Sequence, residues 1–310
     1  MSARMDGSPG PDEPTGWDAS SGPGEPEIVV SADAEALART AAELIETLLA
    51  DAIGRRGRAD IALTGGSTPR AIYRHLIEPA LAAPVDWPRV HLWWGDDRFV
   101  RRTDPLSNVH AADAVLLTDG GVTVPVANVH PFPTDRAIDD GLGPEWCAER
   151  YASEVAAALP VVGGWPAFDV VLVGIGDDGH LFSVFPGGEA LGSERLGLAV
   201  PAPTHIEPHV ERVTLNPAIL ASAGRILAIV AGAPKAEVVA RILEGPRDPA
   251  ALPGVLARRP NATWLLDAAS ASSLQREGRK SVRPPDRPSR PGAPATRRRS
   301  PGSRPRTASG

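Results

Sequence analysis

The stretch of this sequence best equipped for acid–base chemistry is Gly174-Ile175-Gly176-Asp177-Asp178-Gly179-His180. An imidazole changes charge near neutral pH, and a neighbouring carboxylate can set its orientation and tautomer. Either Asp177 or Asp178 is close enough in sequence to do this, and Asp178 is carried forward as the candidate beside His180. Three other segments carry groups of the same kind. Thr64-Gly65-Gly66-Ser67-Thr68-Pro69 combines glycines, hydroxyls and a helix start, the layout of an anion site. In such a site Gly65 and Gly66 bring the backbone close, Ser67 and Thr68 add hydroxyl donors, and Pro69 suits the first helical position. Asp96-Asp97-Arg98 places two carboxylates before a guanidinium. Lys235 stands at a turn in a chain that otherwise relies on arginine, since the only other lysine is Lys280. A compact ammonium fits a tight turn where a guanidinium fork needs room. With Arg212, these groups describe a site for a phosphorylated small molecule, with a histidine for proton transfer.

The apolar patterning says what must position them. Ile28–Val30, Ile61–Leu63, Val90–Trp94, Phe168–Val173, Val210–Leu215, Ile226–Val230 and Ala262–Leu266 read as strands, several of them continuous β-branched runs of the kind covered on both faces. A short strand is expected over Val126–Pro133. Helical spacing recurs through Leu37–Ile53, with Ser31 or Asp33 as its cap and Gly54 or Gly57 as its end, and through Ile72–Leu76, Val109–Leu117, Trp146–Leu159 and Ala236–Leu243. Alternation of this sort predicts an α/β fold, a Rossmann-like and mostly parallel sheet with helices on both faces. Ligands of such sheets bind beyond the carboxyl ends of the strands, where every segment named above falls. The plainer alternative treats each segment as an ordinary turn, and it predicts no convergence in space.

Composition bounds the rest. At 310 residues and 42% hydrophobic content the chain can bury a full core. The single cysteine, Cys147, excludes a disulfide framework and points to a cytoplasmic protein. No apolar run reaches the roughly 20 residues that span a bilayer. Residues 1–26 are expected to be disordered, residues 27–269 to form the folded domain, and residues 270–310 to be a disordered Arg/Pro/Ser-rich tail. The net charge is −6, and the arginines crowd into that tail, so the folded part is acidic and no specific nucleic-acid partner is expected. No His/Cys/Asp spacing reads as a metal site. His75, His91, His110, His130, His205 and His209 are expected to be structural.

The segments TGGSTP (64–69), WGDDRFV (94–100) with SN (107–108), GIGDDGH…FPG (174–187), RVTLN (212–216), GAPK (232–235) and TWLLD (263–267) together resemble the 6-phosphogluconolactonase family, in that family's order. The resemblance implies hydrolysis of 6-phosphogluconolactone in the oxidative pentose phosphate pathway, on a fold shared with glucosamine-6-phosphate deaminases, without metal or cofactor. It implies His180 as general base oriented by Asp177 or Asp178, Arg98 at the developing oxyanion, and Asp96 holding either Arg98 or sugar hydroxyls. Gly65, Gly66, Ser67, Thr68, Arg212 and Lys235 would hold the phosphate. The chain departs from the family pattern at Asp97, usually glutamate, and at Leu181-Phe182-Ser183-Val184, usually Thr-Ala-Ser-Leu.

Two other readings compete. A glucosamine-6-phosphate deaminase would carry Asn-Glu-Pro where this chain has Val184-Phe185-Pro186. A sugar-phosphate sensor would need a DNA-binding module, and only a short low-complexity segment precedes the first strand.

Overall fold

The computed structural model describes residues 24–118 and 120–275. The expected disordered segments therefore lie outside the described residues, apart from 24–26 and 270–275.

The described chain opens with β1 (Glu27–Ser31) and α1 (Ala34–Arg56). Asp33 caps this helix by accepting the Ala36 N–H at 2.8 Å, and Gly57 ends it at φ 77°, where a side chain would be strained. Next come β2 (Ala59–Leu63), α2 (Ser67–Leu76), β3 (Val90–Trp94), β4 (Asp96–Arg98) and α3 (Asn108–Asp113). Helices α4 (Thr134–Asp139) and α5 (Pro144–Ala158) lead to a two-residue ribbon, β5 (Val161–Val162) and β6 (Trp165–Pro166), and then to β7 (Val170–Gly174). The remainder is β8 (Gly197–Val200), β9 (Arg212–Leu215), α6 (Ile219–Ser222), β10 (Arg225–Val230), α7 (Ala236–Glu244) and β11 (Ala262–Asp267).

Six strands form one sheet in the order β1-β11-β10-β7-β2-β3, with every neighbouring pair parallel. Every residue of β2 and β11 is buried, as expected for a sheet flanked by helices on both sides. The chain steps from β2 to β3 in one direction, and from β7 through β10 to β11 in the other. Strand order therefore reverses between β2 and β7, and a crevice opens at their carboxyl ends.

Four features differ from the sequence expectation. The strand carrying Arg212 is not part of the parallel sheet: β4, β9 and β8 form a separate antiparallel sheet. Strands β4 and β8 are three and four residues long, too short to show a pattern of their own. The helix expected over Val109–Leu117 stops at Asp113, where Val115 and Leu117 reach the Ala112 carbonyl in steps of three and five residues that break the helical repeat. Val126–Pro133 is not a strand. Its prolines remove backbone donors, leaving a 3₁₀ turn at Val126–Asn128 and one isolated bridge from Val129 to Leu92. The folded body also extends past residue 269, since Ser270, Ala271 and Leu274 are buried.

Candidate active site

At the end of β2 the chain turns through Gly65 and Gly66 into α2. A Cβ on Gly65 would lie 2.0 Å from Asn108 Oδ1, so only glycine fits there. Gly66 has φ 111°, a conformation that favours glycine. Buried Tyr73 donates to the Thr64 carbonyl at 2.7 Å and pins the turn from below. Pro69 is the third helical residue rather than the first, still within the turn whose N–H groups have no helical partner.

In the middle of β4, Asp97 is fully buried. It accepts the Arg98 N–H at 2.8 Å, the Ser107 hydroxyl at 2.9 Å and the Asn108 N–H at 2.6 Å. Burial pushes its carboxyl up to about 7 even though these three donors pull the other way. Its position is that of an internal cross-link of the loop. Asp96 does not grip Arg98. Its Oδ2 accepts the Ser183 hydroxyl at 2.6 Å, and its Oδ1 accepts Asn108 Nδ2 at 3.2 Å. Arg98 instead donates from Nη1 to the Leu106 carbonyl at 2.6 Å.

Arg98 and Arg212 are direct antiparallel partners in β4 and β9. Arg212 is 4% exposed and donates to the Pro208 carbonyl at 2.8 Å. Burial, followed by the charge of Arg98, pushes it down to about 10. The Nε atoms of both arginines are buried without a partner, and neither arginine forms an ion pair among the described residues.

After β7 the backbone folds tightly enough to bring His180 back over Gly176. A Cβ on Gly176 would lie 2.0 Å from His180 Nδ1, so the approach requires glycine. His180 Nδ1 is 2.6 Å from Asp178 Oδ1, which also accepts the His180 N–H at 3.1 Å. Of the two aspartates, then, Asp178 is the one joined to the imidazole. Its other oxygen, Oδ2, lies 2.8 Å from His205 Nε2. Partial burial opposes ionisation of Asp178, but the hydrogen bond and charge of His180, with help from His205, hold its carboxyl well below the usual range. Asp177 turns the other way and meets Lys235 Nζ at 2.5 Å. Lys235 follows the Gly232 turn at the end of β10 and also donates to the Ile175 carbonyl at 2.7 Å.

These parts enclose one cavity of about 260 Å³. Thr64 and Gly65 line it from β2, Asp96, Arg98 and Asn108 from the β3–α3 segment, and Gly174–Asp177, His180 and Phe182 from the end of β7. Ile206 and Lys235 complete the wall. His180, Arg98, Asp96, Gly65 and Lys235 thus meet, as convergence required. Gly66, Ser67, Thr68 and Arg212 do not line the cavity itself: Gly66 and Ser67 are exposed at the α2 start, and Arg212 stands behind Arg98. Sequence reasoning gave no role to Asn108, Phe182, Ser183 or Ile206, and it treated His205 as an ordinary loop residue. Asn108 alone had a local signal, the Ser-Asn at a helix start. Among the described residues no cluster of His, Cys, Asp or Glu is arranged to hold a metal, and no helix is long and apolar enough to cross a membrane.

A family described as glucosamine-6-phosphate isomerases/6-phosphogluconolactonase matches residues 32–265. Among curated relatives, the 6-phosphogluconolactonase of Synechocystis sp. is 33% identical over 253 residues, covering 81% of this chain and 99% of that protein. The 6-phosphogluconolactonase of Mycobacterium tuberculosis is 35% identical over 251 residues, covering 80% and 98%. The solved 6-phosphogluconolactonase of Trypanosoma brucei superposes with a TM-score of 0.69 at 30% identity, covering 81% of this chain and 99% of that one. A monomeric glucosamine-6-phosphate deaminase, at 21% identity and a TM-score of 0.65, is alike in fold. With a match running across nearly the whole described body and relatives aligned over almost their full lengths, this chain belongs to the glucosamine-6-phosphate isomerase/6-phosphogluconolactonase family.

Proposed function

We infer that this chain is a 6-phosphogluconolactonase, hydrolysing 6-phospho-D-glucono-1,5-lactone to 6-phospho-D-gluconate with His180 as general base. The observation that carries the reading is the 2.6 Å contact between Asp178 and His180 Nδ1, in a cavity that Arg98 and Lys235 also line. An ionised Asp178 accepts a hydrogen bond from Nδ1–H, which leaves Nε2 with a free lone pair. Nε2 takes a proton from water as the water oxygen attacks the lactone carbonyl. The carbonyl oxygen gains negative charge, and the Arg98 guanidinium stabilises it. As the intermediate collapses, the bond from C1 to the ring oxygen breaks, and the proton on His180 passes to that oxygen. Water is thereby split between the acid and the alcohol. Asp96, fixed by Ser183 and Asn108, is left to orient sugar hydroxyls rather than to hold Arg98.

The phosphate end is assigned to the cationic side of the cleft. Lys235 supplies a point charge, the Gly65–Thr68 turn supplies backbone N–H groups and hydroxyls, and Arg212 adds positive potential behind Arg98. Asp177 is the counter-ion that an incoming phosphate displaces from Lys235.

The test is hydrolysis of the lactone by purified protein, corrected for the spontaneous rate, alongside ammonia release from glucosamine-6-phosphate. Acceleration of the first and none of the second is expected. Ammonia release without lactone hydrolysis would transfer the chain to the other branch of its family.

A further inference from the structure

Asp178 serves two histidines at once. Oδ1 faces His180 Nδ1 at 2.6 Å, and Oδ2 faces His205 Nε2 at 2.8 Å. His205 comes from the segment joining β8 to β9, 27 residues along the chain from Asp178. The two imidazoles also share a neighbour: the Phe185 ring lies 4.8 Å from that of His180 and meets that of His205 edge-on at 5.7 Å. Among the described residues no lysine or arginine pairs with Asp178, and Lys235 is engaged by Asp177 and the Ile175 carbonyl.

A carboxylate bonded through one oxygen can still rotate about its Cβ–Cγ axis. Bonded through both, its plane is fixed, and Oδ1 can only present itself to Nδ1 of His180. That contact decides which ring nitrogen carries the proton, and so whether Nε2 is available as a base. We propose that His205 is a positioning residue for the reaction, acting through Asp178 to hold the plane and tautomer of His180. The inference rests on the reading of His180 as general base.

The same segment also carries Ile206 into the cavity wall, and the competing role for it is that of a strap holding the wall in place. The two roles separate kinetically. A positioning role acts on the chemical step, and a wall role acts on substrate binding.

His205→Ala and His205→Gln in the full chain make the test. Glutamine places an amide N–H near the former Nε2 but cannot titrate. His205→Ala is expected to lower kcat about three- to tenfold with KM changed by less than about twofold, and His205→Gln to recover most of the loss. Nitrogen–proton NMR spectra of the imidazoles should show His180 as a single Nδ1–H tautomer in the wild type and in His205→Gln, and as a mixture in His205→Ala. Unchanged kcat with a single tautomer in His205→Ala overturns the proposal, as does a loss confined to KM. If His180→Ala kept its kcat while His205→Ala still scrambled the His180 tautomer, the general-base reading would fall and the Asp178 clamp would stand.

Discussion

Strands β2 and β7 carry charged clusters at both of their ends, and the two clusters are built to opposite purposes. At the amino ends, Asp60 accepts Arg56 at 3.1 Å, Arg58 Nε at 3.0 Å and Trp93 Nε1 at 3.1 Å. Asp169 accepts the Asp60 N–H at 2.8 Å and a second bond from Arg56. Each cation there has an acid, and the acids are buried to 4% exposure or less. At the carboxyl ends the balance is broken. Arg98 and Arg212 lie side by side without an ion-pair partner among the described residues, and the nearby Asp96 is occupied by Ser183 and Asn108. A charge set neutralised from within needs no visitor. A pair of guanidinium groups left without carboxylate partners, one of them lining a cavity, can still take an anion.

The comparison is broken most directly at the open end. His180→Ala should lower kcat about 10²–10⁴-fold and leave KM close to wild type, because a positioned general base contributes to the transition state alone. Steady-state hydrolysis corrected for the spontaneous rate measures both constants. A kcat near the wild-type value would remove the assigned base.

Asp60→Ala is the mirror experiment at the closed end. It leaves Arg58 and the Trp93 N–H without their acceptor and Arg56 with Asp169 alone, and it should cost about 3 kcal/mol of stability, read as a lower urea midpoint. The folded fraction should keep its kcat. A loss of turnover at unchanged stability would show that the two ends are not independent.

How much of this contrast was legible beforehand follows from the range over which each contact forms. The strands β2, β3, β7, β10 and β11 are continuous apolar runs, and their order along the chain already places Gly65, Asp96, His180 and Lys235 beyond carboxyl ends. That much is local pattern plus a rule of α/β topology. What could not be read depends on pairings set by the fold. Arg98 meets Arg212 only because two short strands form a small antiparallel sheet. His205 meets Asp178 only because the β8–β9 segment comes back to the cavity wall, which Ile206 also lines. Asp97, to which the sequence assigns no role, is buried, for strand alternation turns it away from its neighbour's environment.

Lys235→Ala sharpens the open end further. Removing one of the cations assigned to the phosphate should raise KM roughly ten- to a hundredfold with kcat nearly intact, equivalent to about 1.4–2.7 kcal/mol of binding. Michaelis curves decide it. A fall in kcat at constant KM would instead put Lys235 at the reacting carbonyl.

The smallest expected effect tests a residue that blurs the comparison. Asp97 belongs to the open end by position and to the closed end by environment, since it is buried and bonded only to its own loop. Its carboxyl is pushed up to about 7, whereas in the unfolded chain it titrates near 3.8. Between these values the folded protein holds a proton that the unfolded chain has released. The stabilisation is complete below the unfolded value and is lost as pH rises through about 7. Asp97→Asn keeps the shape, and its amide oxygen can accept the Arg98 and Asn108 N–H groups while its NH₂ faces the Ser107 hydroxyl. The variant should therefore lack this pH dependence, gaining on the order of 1 kcal/mol over the wild type between pH 4.5 and pH 5.5. Urea midpoints of both proteins at the two pH values measure the difference. If the two midpoints moved in parallel, Asp97 would be ionised throughout, and the loop it ties together would belong with the charged groups of the open end.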